Sequence, residues 1–372
     1  MRDLSLILSG GNALGAYQAG AYAVLHERGY RPAWISGASV GAVNAAIIAG
    51  NPPDRRVAQL RRFWEEASHR AADWSSPPFG VARRFHTQLS ALQSRLFGSP
   101  GVFRLRFPGA FSALPGMPDD ASLYDLGPLR ARLEGVIDFA FLATSPTRLT
   151  VTAVDLETGG EVRFDTRRDR LRPEHLIASC GFLPDFPPVE VDGRLLCDGG
   201  MSANLPLSAV MEEVMEEAGG DRLCIAVDLF SRFSPRPRTV AQAAERQLSL
   251  LLANQTRKTI DTLQELYALR QRLRALEGKA GPGATTLLHL SHRPAPHEMP
   301  LKSFDYSGST LAERWKAGES DMAAALDRLA AHRPPGDGLS VLEVHGVEER
   351  DERPSPECPF AKRPSSARNE AA

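Results

Sequence analysis

The first fifty residues alternate between short apolar runs and longer segments with helical spacing. Residues 4–8 form an apolar-rich run typical of a buried strand, and residues 16–28 have the pattern of a helix that Gly29 ends. A second short strand is predicted at 34–36 and an Ala-rich helix at 43–49. This order of strand, helix, strand and helix predicts a parallel sheet with crossover helices packed against it.

Strand-like and helix-like segments continue to residue 331. Further strands are predicted at 149–155, 161–165, 190–197 (a hairpin turned at Asp192-Gly193), 223–230 and 287–290. Further helices are predicted at 52–72, 175–180, 207–218, 239–278 and 309–331. Residues 75–125 are rich in Pro, Gly and Phe and show no long period.

These patterns predict an α/β protein in which a mostly parallel sheet is flanked by helices. The sheet domain is predicted to span residues 1–230, with an irregular insertion at 74–125. A helical extension at 231–332 is predicted to pack on it. Residues 333–372 are Pro-rich and charged with few large apolar side chains, which predicts a largely disordered tail.

Composition excludes several classes of protein. The chain has 372 residues, of which 42% are apolar and 24% charged, so it is not collagen-like or fully disordered. Its formal net charge of −1 lacks the basic footprint of a nucleic-acid binder. The four cysteines lack metal-ligand spacing, so we expect buried free thiols, no metal or cofactor, and a reducing, cytoplasmic location. No apolar run approaches the roughly 20 residues that span a bilayer.

The turn after the second predicted strand carries a candidate nucleophile. Gly37-Ala38-Ser39-Val40-Gly41 fits the G-x-S-x-G motif and lies between a predicted strand and a predicted helix. A nucleophile elbow needs this context, because small neighbours let the backbone bend while the serine hydroxyl stays exposed. The amides and dipole of the following helix would face a developing negative charge. Ser39 is therefore predicted to be the nucleophile.

The glycine-rich turn at residues 10–15 has two interpretations. A dinucleotide loop would need glycine at the third position, where Asn12 stands, and an acidic residue about 20 residues later. An oxyanion hole needs backbone N–H groups at a helix N-terminus and room for a carbonyl oxygen, which glycine provides. With a serine elbow following, the oxyanion hole is the favoured interpretation.

A candidate base stands at the end of a later strand. Asp198 follows an apolar run and precedes Gly199 and Gly200, where the carboxyl edge of a parallel sheet would place a catalytic group. A turn-forming Asp-Gly is the alternative for this segment. The histidines that follow Ser39 lie mostly in polar stretches and have no distinctive setting.

The three motifs, in this order, resemble those of the patatin-like phospholipases, which are lipid acyl hydrolases. The resemblance covers roughly residues 4–230 and includes 178–188 before the aspartate and 204–206 after it. Residues 239–331 resemble the helical extension of a bacterial subset of that family. The resemblance implies a patatin-like three-layer fold and a Ser39–Asp198 catalytic dyad that needs no histidine.

The same resemblance assigns the remaining positions of the site. Where the family loop usually has a third glycine, this chain has Asn12, whose backbone N–H is kept and whose side chain could narrow the site or donate a hydrogen bond. The oxyanion hole is expected at Gly10, Gly11 and Asn12, and the motif glycines are Gly15, Gly37, Gly41, Gly199 and Gly200.

Three other functions stay open from the sequence. They are a Ser-His-Asp esterase of another fold, a nucleotide-binding protein that uses the loop at 10–15, and a lipid-binding protein without activity. The resemblance implies a lipid or ester substrate, but the acyl substrate and the oligomeric state are not assigned.

Residues 74–118 combine basic and aromatic side chains. The segment contains no Asp or Glu, carries Arg83, Arg84, Arg95, Arg104 and Arg106, and holds six of the sixteen phenylalanines. One hypothesis is a lipid-facing cap, in which arginines hold an anionic membrane surface while phenylalanines enter it or line an acyl channel. The alternative is a structural insertion with inward-packed phenylalanines.

Overall fold

The fold is described from a computed structural model of the chain. The structure describes residues 3–68, 80–99, 101–216, 221–278, 283–295, 298, 301–333 and 338–346. Its strands are β1 Asp3–Leu8, β2 Trp34–Ala38, β3 Arg104–Leu105, β4 Tyr124–Asp125, β5 Arg148–Asp155, β6 Glu161–Asp165, β7 Val189–Val191, β8 Arg194–Asp198, β9 Arg222–Asp228, β10 Thr285–Ser291 and β11 Leu339–His345.

The helices lie between these strands in the chain. They are α1 Gly15–Glu27, α2 Val40–Ala49, α3 Arg56–Ala67, α4 Gly80–Phe97, α5 Gly127–Val136, α6 Phe139–Leu142, α7 Pro173–Ser179, α8 Gly200–Ala203, α9 Leu207–Glu216, α10 Val240–Leu276 and α11 Gly308–Ala331. In the part of the chain that the structure describes, no helix is both long and apolar enough to cross a membrane.

A mixed sheet forms the centre of the molecule. Its strand order is β11-β10-β9-β1-β2-β5-β8-β7, with β6 paired to β5 outside that path. The six strands from β11 to β5 are parallel, and β6, β7 and β8 pair antiparallel with their neighbours. The predicted mostly parallel sheet flanked by helices is therefore confirmed.

Alternation along the central strands divides the core between two faces of the sheet. In β9, Ile225 and Val227 belong to the larger apolar cluster, which also contains residues of α1, α2, α3 and α11. Their neighbours Cys224 and Ala226 belong to a second cluster with residues of α9 and α10. Successive side chains of a strand point to opposite faces, so the two clusters give three layers.

The insertion and the tail differ from what the sequence predicts. The insertion at 74–125 is not irregular throughout, because it contains the 18-residue helix α4. The tail from 333 onward contains β11, which pairs in parallel with β10 at the edge of the sheet. Residues 347–372 and 69–79 lie outside the described residues.

The segment after residue 230 is more than a helical extension of the sheet domain. It contributes β10 and β11 to the sheet, and its last helix packs directly on the first helix of the chain. Gly20 of α1 and Gly318 of α11 allow this approach. A Cβ at Gly318 would lie 2.0 Å from the carbonyl oxygen of Tyr17, and one at Gly20 would lie 2.0 Å from that of Trp315.

We therefore expect Gly318→Ala to lower the free energy of unfolding by at least about 1–3 kcal/mol, because α1 and α11 would have to separate. An alanine at an uncrowded helical position would normally be neutral or stabilising. Gly135→Ala is the matched control, since a Cβ there has no neighbour within 4 Å. Urea unfolding of both variants measures the difference. Equal stability of the two would contradict the close contact.

Candidate active site

Ser39 occupies a strained turn between β2 and α2. Its backbone has φ 54° and ψ −130°, a left-handed value of φ that few residues other than glycine adopt. The flanking glycines are required by close backbone contacts. A Cβ at Gly41 would lie 2.2 Å from the carbonyl oxygen of Leu8, and one at Gly37 would lie 2.5 Å from the backbone of Gly41. The predicted elbow geometry is present.

A residue that sequence reasoning did not single out fixes this turn. The amide of Ser39 donates to the hydroxyl of Ser179 at 2.9 Å, and that hydroxyl donates to the carbonyl oxygen of Thr152 at 2.6 Å. Ser179 ends α7 and is fully buried. The Ser39 amide is therefore occupied by a structural hydrogen bond. The only sequence signal was that Ser179 lies in the segment 178–188.

Asp198 is a buried carboxyl group with one unpaired oxygen. It is 1% exposed, and its Oδ1 accepts from the amide of Gly200 at 2.7 Å. Oδ2 is buried and has no hydrogen-bond partner among the described residues. Burial raises the pKa of Asp198 to about 7, and the Ser39 side chain and the Gly200 amide lower it in part.

The position of Asp198 in the sheet differs from the prediction. It ends β8, which runs antiparallel to β5, so it does not lie at the carboxyl end of a parallel strand. Asp198 pairs in register with Ala153, one residue beyond the pair formed by Thr152 and Ala38. β8 pairs only with the last three residues of β5, so its final residue, Asp198, lies beside the turn at Ser39 that follows Ala38. Gly199 is needed there, because a Cβ would lie 2.3 Å from the Thr152 carbonyl oxygen.

The glycine loop lies against the serine, but its members have different roles. The Gly10 amide donates to the carbonyl oxygen of Asn204 at 3.0 Å, so it is not free for an oxyanion, contrary to its predicted role. Gly10 instead provides space, since a Cβ there would lie 2.9 Å from Cβ of Ser39. Gly11 and Asn12 begin a short 3₁₀ helix at Asn12–Leu14, and amides at a helix start lack acceptors within the helix.

Asn12 is held by a residue almost 300 positions later in the sequence. Its φ of 53° is left-handed, a conformation that asparagine adopts more readily than most residues. Its Oδ1 accepts a hydrogen bond from the hydroxyl of Tyr306, a buried side chain that precedes α11. Its Nδ2 is buried without a partner in the described part of the chain. The side-chain amide is therefore oriented, and its N–H groups are available.

The candidate active site borders a mainly apolar cavity of about 410 Å³. Gly11, Asn12, Ser39 and Asp198 form a polar part of its lining. The walls come from both halves of the chain and include Val43, Phe63, Trp64, Val102, Leu129, Phe186, Phe230, Leu248, Leu252 and Phe304. A cavity with this lining suits a long apolar group attached to a polar reacting centre.

Cys180 is a second residue that sequence reasoning did not place in the site. It lines the cavity beside Ser39 and Asp198. Burial and the neighbouring Asp198 carboxylate raise the pKa of the Cys180 thiol well above its usual range. Because the thiolate is the reactive form of cysteine, this thiol does not compete with Ser39 as a nucleophile.

Family comparisons agree with the fold and the motifs. A family model described as patatin-like phospholipase matches residues 6–211, and a second one described as patatin phospholipase matches residues 232–337. The chain belongs to the patatin-like phospholipase family and is a hydrolase of lipid esters. Comparison with curated proteins finds no significant match.

Solved structures with some similarity include two bacterial proteins. VipD from Legionella pneumophila is 14% identical with a TM-score of 0.39, and the match covers 88% of this chain and 67% of that one. The type III effector ExoU is 14% identical with a TM-score of 0.35, covering 88% of this chain and 53% of that one. Similarity at this level is too distant to transfer an activity.

The raised pKa of Asp198 predicts a pH-dependent stability. With a folded pKa of about 7 and an unfolded value of about 3.9, the folded state holds more protons between these values. The free energy of unfolding that the protonated Asp198 contributes is therefore at its maximum below pH 4. It decreases as the pH rises and is lost once the pH has passed 7. Wild type should lose about 4 kcal/mol relative to Asp198→Asn between pH 4 and 8.

Urea unfolding at several pH values measures this difference. Other titrating groups are shared by the two proteins, so their contributions cancel in the comparison. A stability difference that does not change with pH would show that Asp198 titrates normally.

Proposed function

We propose that the chain is a serine acyl hydrolase that cleaves carboxylic ester bonds of lipids with a Ser39–Asp198 dyad. The observation that supports this most directly is the buried carboxyl of Asp198 beside the side chain of Ser39, which lies on a strained turn. Both side chains line the apolar cavity. A carboxyl whose pKa lies near the working pH is suited to accept and return a proton.

The reaction proceeds in two halves. The Ser39 Oγ attacks the ester carbonyl carbon while Oδ2 of Asp198 accepts the hydroxyl proton. When the tetrahedral intermediate collapses, the ester C–O bond breaks and Asp198 returns the proton to the leaving alcohol. Water then attacks the acyl-enzyme with Asp198 again as the base, which releases the fatty acid and restores Ser39.

Negative charge on the former carbonyl oxygen needs donors on the other side of Ser39. We assign this role to the backbone amides of Gly11 and Asn12, because the Gly10 and Ser39 amides are occupied elsewhere. The Nδ2 group of Asn12 is a third donor, oriented by Tyr306. A carboxylate is a weak base for a hydroxyl, so stabilisation by these donors in a cavity with little water carries much of the catalysis.

The structure offers little support for a Ser-His-Asp triad. Among the described residues that line the cavity there is no histidine. His175, which follows Ser39 in the chain, has its Nδ1 bonded to the amide of Arg172 and its ring packed on Phe164. His69 and His297 lie outside the described residues. The dyad is therefore the proposal that the observed contacts favour.

We also propose that the enzyme meets its substrate at a membrane surface, in line with the lipid-facing hypothesis for residues 74–118. The phospholipid or glyceride would move from the bilayer into the cavity through the side formed by this segment. Residue Arg95 of α4 lines the cavity, which places the helix in its wall.

Ser39→Ala and Asp198→Asn should each remove ester hydrolysis while the protein stays folded. General acid–base catalysis of this kind contributes about 10²–10⁴-fold, so Asp198→Asn should lose at least that much in kcat. Hydrolysis of a short p-nitrophenyl ester measures it. Asp192→Asn is the matched control, because Asp192 is an exposed residue of the β7–β8 turn. Near-normal turnover by Asp198→Asn would exclude the dyad.

Asn12→Gly should lower kcat, with KM changed little, because it keeps the backbone amide and removes the side-chain donor. Loss of one oxyanion donor costs about 10²–10³-fold in turnover. Tyr306→Phe leaves Asn12 unoriented and should lower kcat by roughly 10-fold, the value of one hydrogen bond.

Tyr267→Phe controls for the loss of a buried hydroxyl, since the Tyr267 hydroxyl bonds to Thr285 away from the cavity. Steady-state kinetics on the same ester compares the three variants. An effect on KM alone, or an equal effect of Tyr267→Phe, would argue against a role of Asn12 in the transition state.

A further inference from the structure

Helix α4 buries a row of polar side chains on one side and exposes a row of large apolar side chains on the other. Arg83, Thr87, Ser90 and Ser94 are at most 3% exposed and lie on one side of the helix. On the opposite side, the exposed fractions are 65% for Phe85, 53% for Leu89, 46% for Leu92 and 53% for Leu96. These four residues follow the helical spacing i, i+4, i+7, i+11 and form one stripe, called here the apolar face.

The buried polar side is fixed by hydrogen bonds to the start of α11. The guanidinium of Arg83 donates to Glu313 at 2.8 Å and to the hydroxyls of Ser309 and Thr310 at 3.0 Å. The hydroxyl of Ser90 donates to Asp305 at 2.7 Å. A buried arginine that lost these partners would be strongly destabilising, so the helix cannot simply rotate to bury its apolar face.

Other exposed apolar side chains follow the apolar face in the chain. Phe97 ends the same helix, and β3, which contacts α4, leads into a loop with more of them. Those loop residues are Phe107, Phe111, Leu114 and Met117. Exposed large apolar side chains that are grouped on a folded protein mark a site of interaction.

The apolar face adjoins the cavity of the candidate active site. Arg95, one residue before the last leucine of the face, lines the cavity. It donates to Asp185 at 2.6 Å, and its guanidinium lies 4.5 Å from the ring centre of Phe304, another cavity residue. One side of α4 thus belongs to the cavity wall, and the other faces outward.

The charged side chains of residues 74–118 give little reason to expect binding to a membrane surface of anionic lipids. Arg83, expected to face lipid, is buried on Glu313, so that expectation is wrong. Arg95 pairs with Asp185, Arg104 with Asp125 and Arg106 with Asp120. Four of the five arginines in residues 74–118 are therefore paired with carboxylates, two of which, Asp120 and Asp125, lie just after the segment. Arg84 is exposed. With four of the five arginines paired, attraction to the surface comes mainly from the apolar side chains.

We propose that α4 inserts its apolar face into the interfacial region of a lipid bilayer and that this insertion does not require anionic lipid. The inference rests on the proposed function, because a lipid substrate is what makes a bilayer the partner. The four side chains match the apolar side of an interfacial helix. Insertion would hold the cavity wall against the membrane, so that an acyl chain could pass from one apolar environment to another.

Co-sedimentation with vesicles of pure phosphatidylcholine tests the proposal. Wild type should bind, and binding should persist in 1 M NaCl, because salt screens charges but does not weaken apolar burial. The variant F85Q/L89Q/L92Q/L96Q keeps good helix formers and should bind at least about 100-fold more weakly. The matched control is L269Q/L273Q/L276Q, which removes three exposed leucines from the end of α10 and should bind like wild type.

Two further measurements separate the outcomes. Hydrolysis of a short soluble ester should be equal in all three proteins, which shows that the substitutions leave the fold intact. If that activity is absent in every protein while the α4 variant alone loses vesicle binding, the proposed catalysis fails and the docking surface stands.

Three results would overturn the proposal. They are no binding of wild type to neutral vesicles, equal binding of wild type and the α4 variant, or release by 1 M NaCl. Sedimentation velocity without lipid could give a fourth result that overturns the proposal. A dimer of wild type that the α4 substitutions dissociate would show that the apolar face covers a second copy of the chain instead.

Discussion

The candidate active site depends on the burial of one carboxyl group that no lysine or arginine of the described residues accompanies. Burial raises the pKa of Asp198 to about 7, and the Ser39 side chain and the Gly200 amide oppose that shift in part. An arginine partner would lower that pKa and make the carboxylate a poorer base. The unpaired Oδ2 is thus both a cost to stability and the feature that suits Asp198 to receive a serine proton.

Close backbone packing around Ser39 and Asp198 follows from this arrangement. Gly41 lets the elbow approach β1, Gly37 lets the elbow close on itself, and Gly199 lets the end of β8 approach β5. The Ser179 hydroxyl accepts a hydrogen bond from the Ser39 amide, which is why the proposed oxyanion donors are those of Gly11 and Asn12. Asp198 is 1% exposed within this packing, and its burial is what raises its pKa.

The C-terminal third of the chain is part of the site rather than an addition to it. It gives two strands to the sheet, the cavity wall on α10, and Tyr306, which orients Asn12. It also binds the polar side of α4 through Glu313 and Asp305. The same segment therefore contacts the candidate active site through Tyr306 and fixes the orientation of α4 through Glu313 and Asp305.

Features that depend on residues close together in the chain could be predicted from the sequence. The elbow at Ser39, the glycines around Asp198 and most strands and helices follow from local spacing, because backbone approach and side-chain alternation act over a few residues. Which amides are already hydrogen-bonded, the direction of β8 and the pairing of β11 depend on contacts between distant segments. The same is true of α4, which buries Arg83 and exposes Leu89, Leu92 and Leu96. Helical spacing at 85, 89, 92 and 96 would by itself favour burial of those apolar side chains. The opposite orientation results from hydrogen bonds to residues more than 200 positions away, which no local pattern contains.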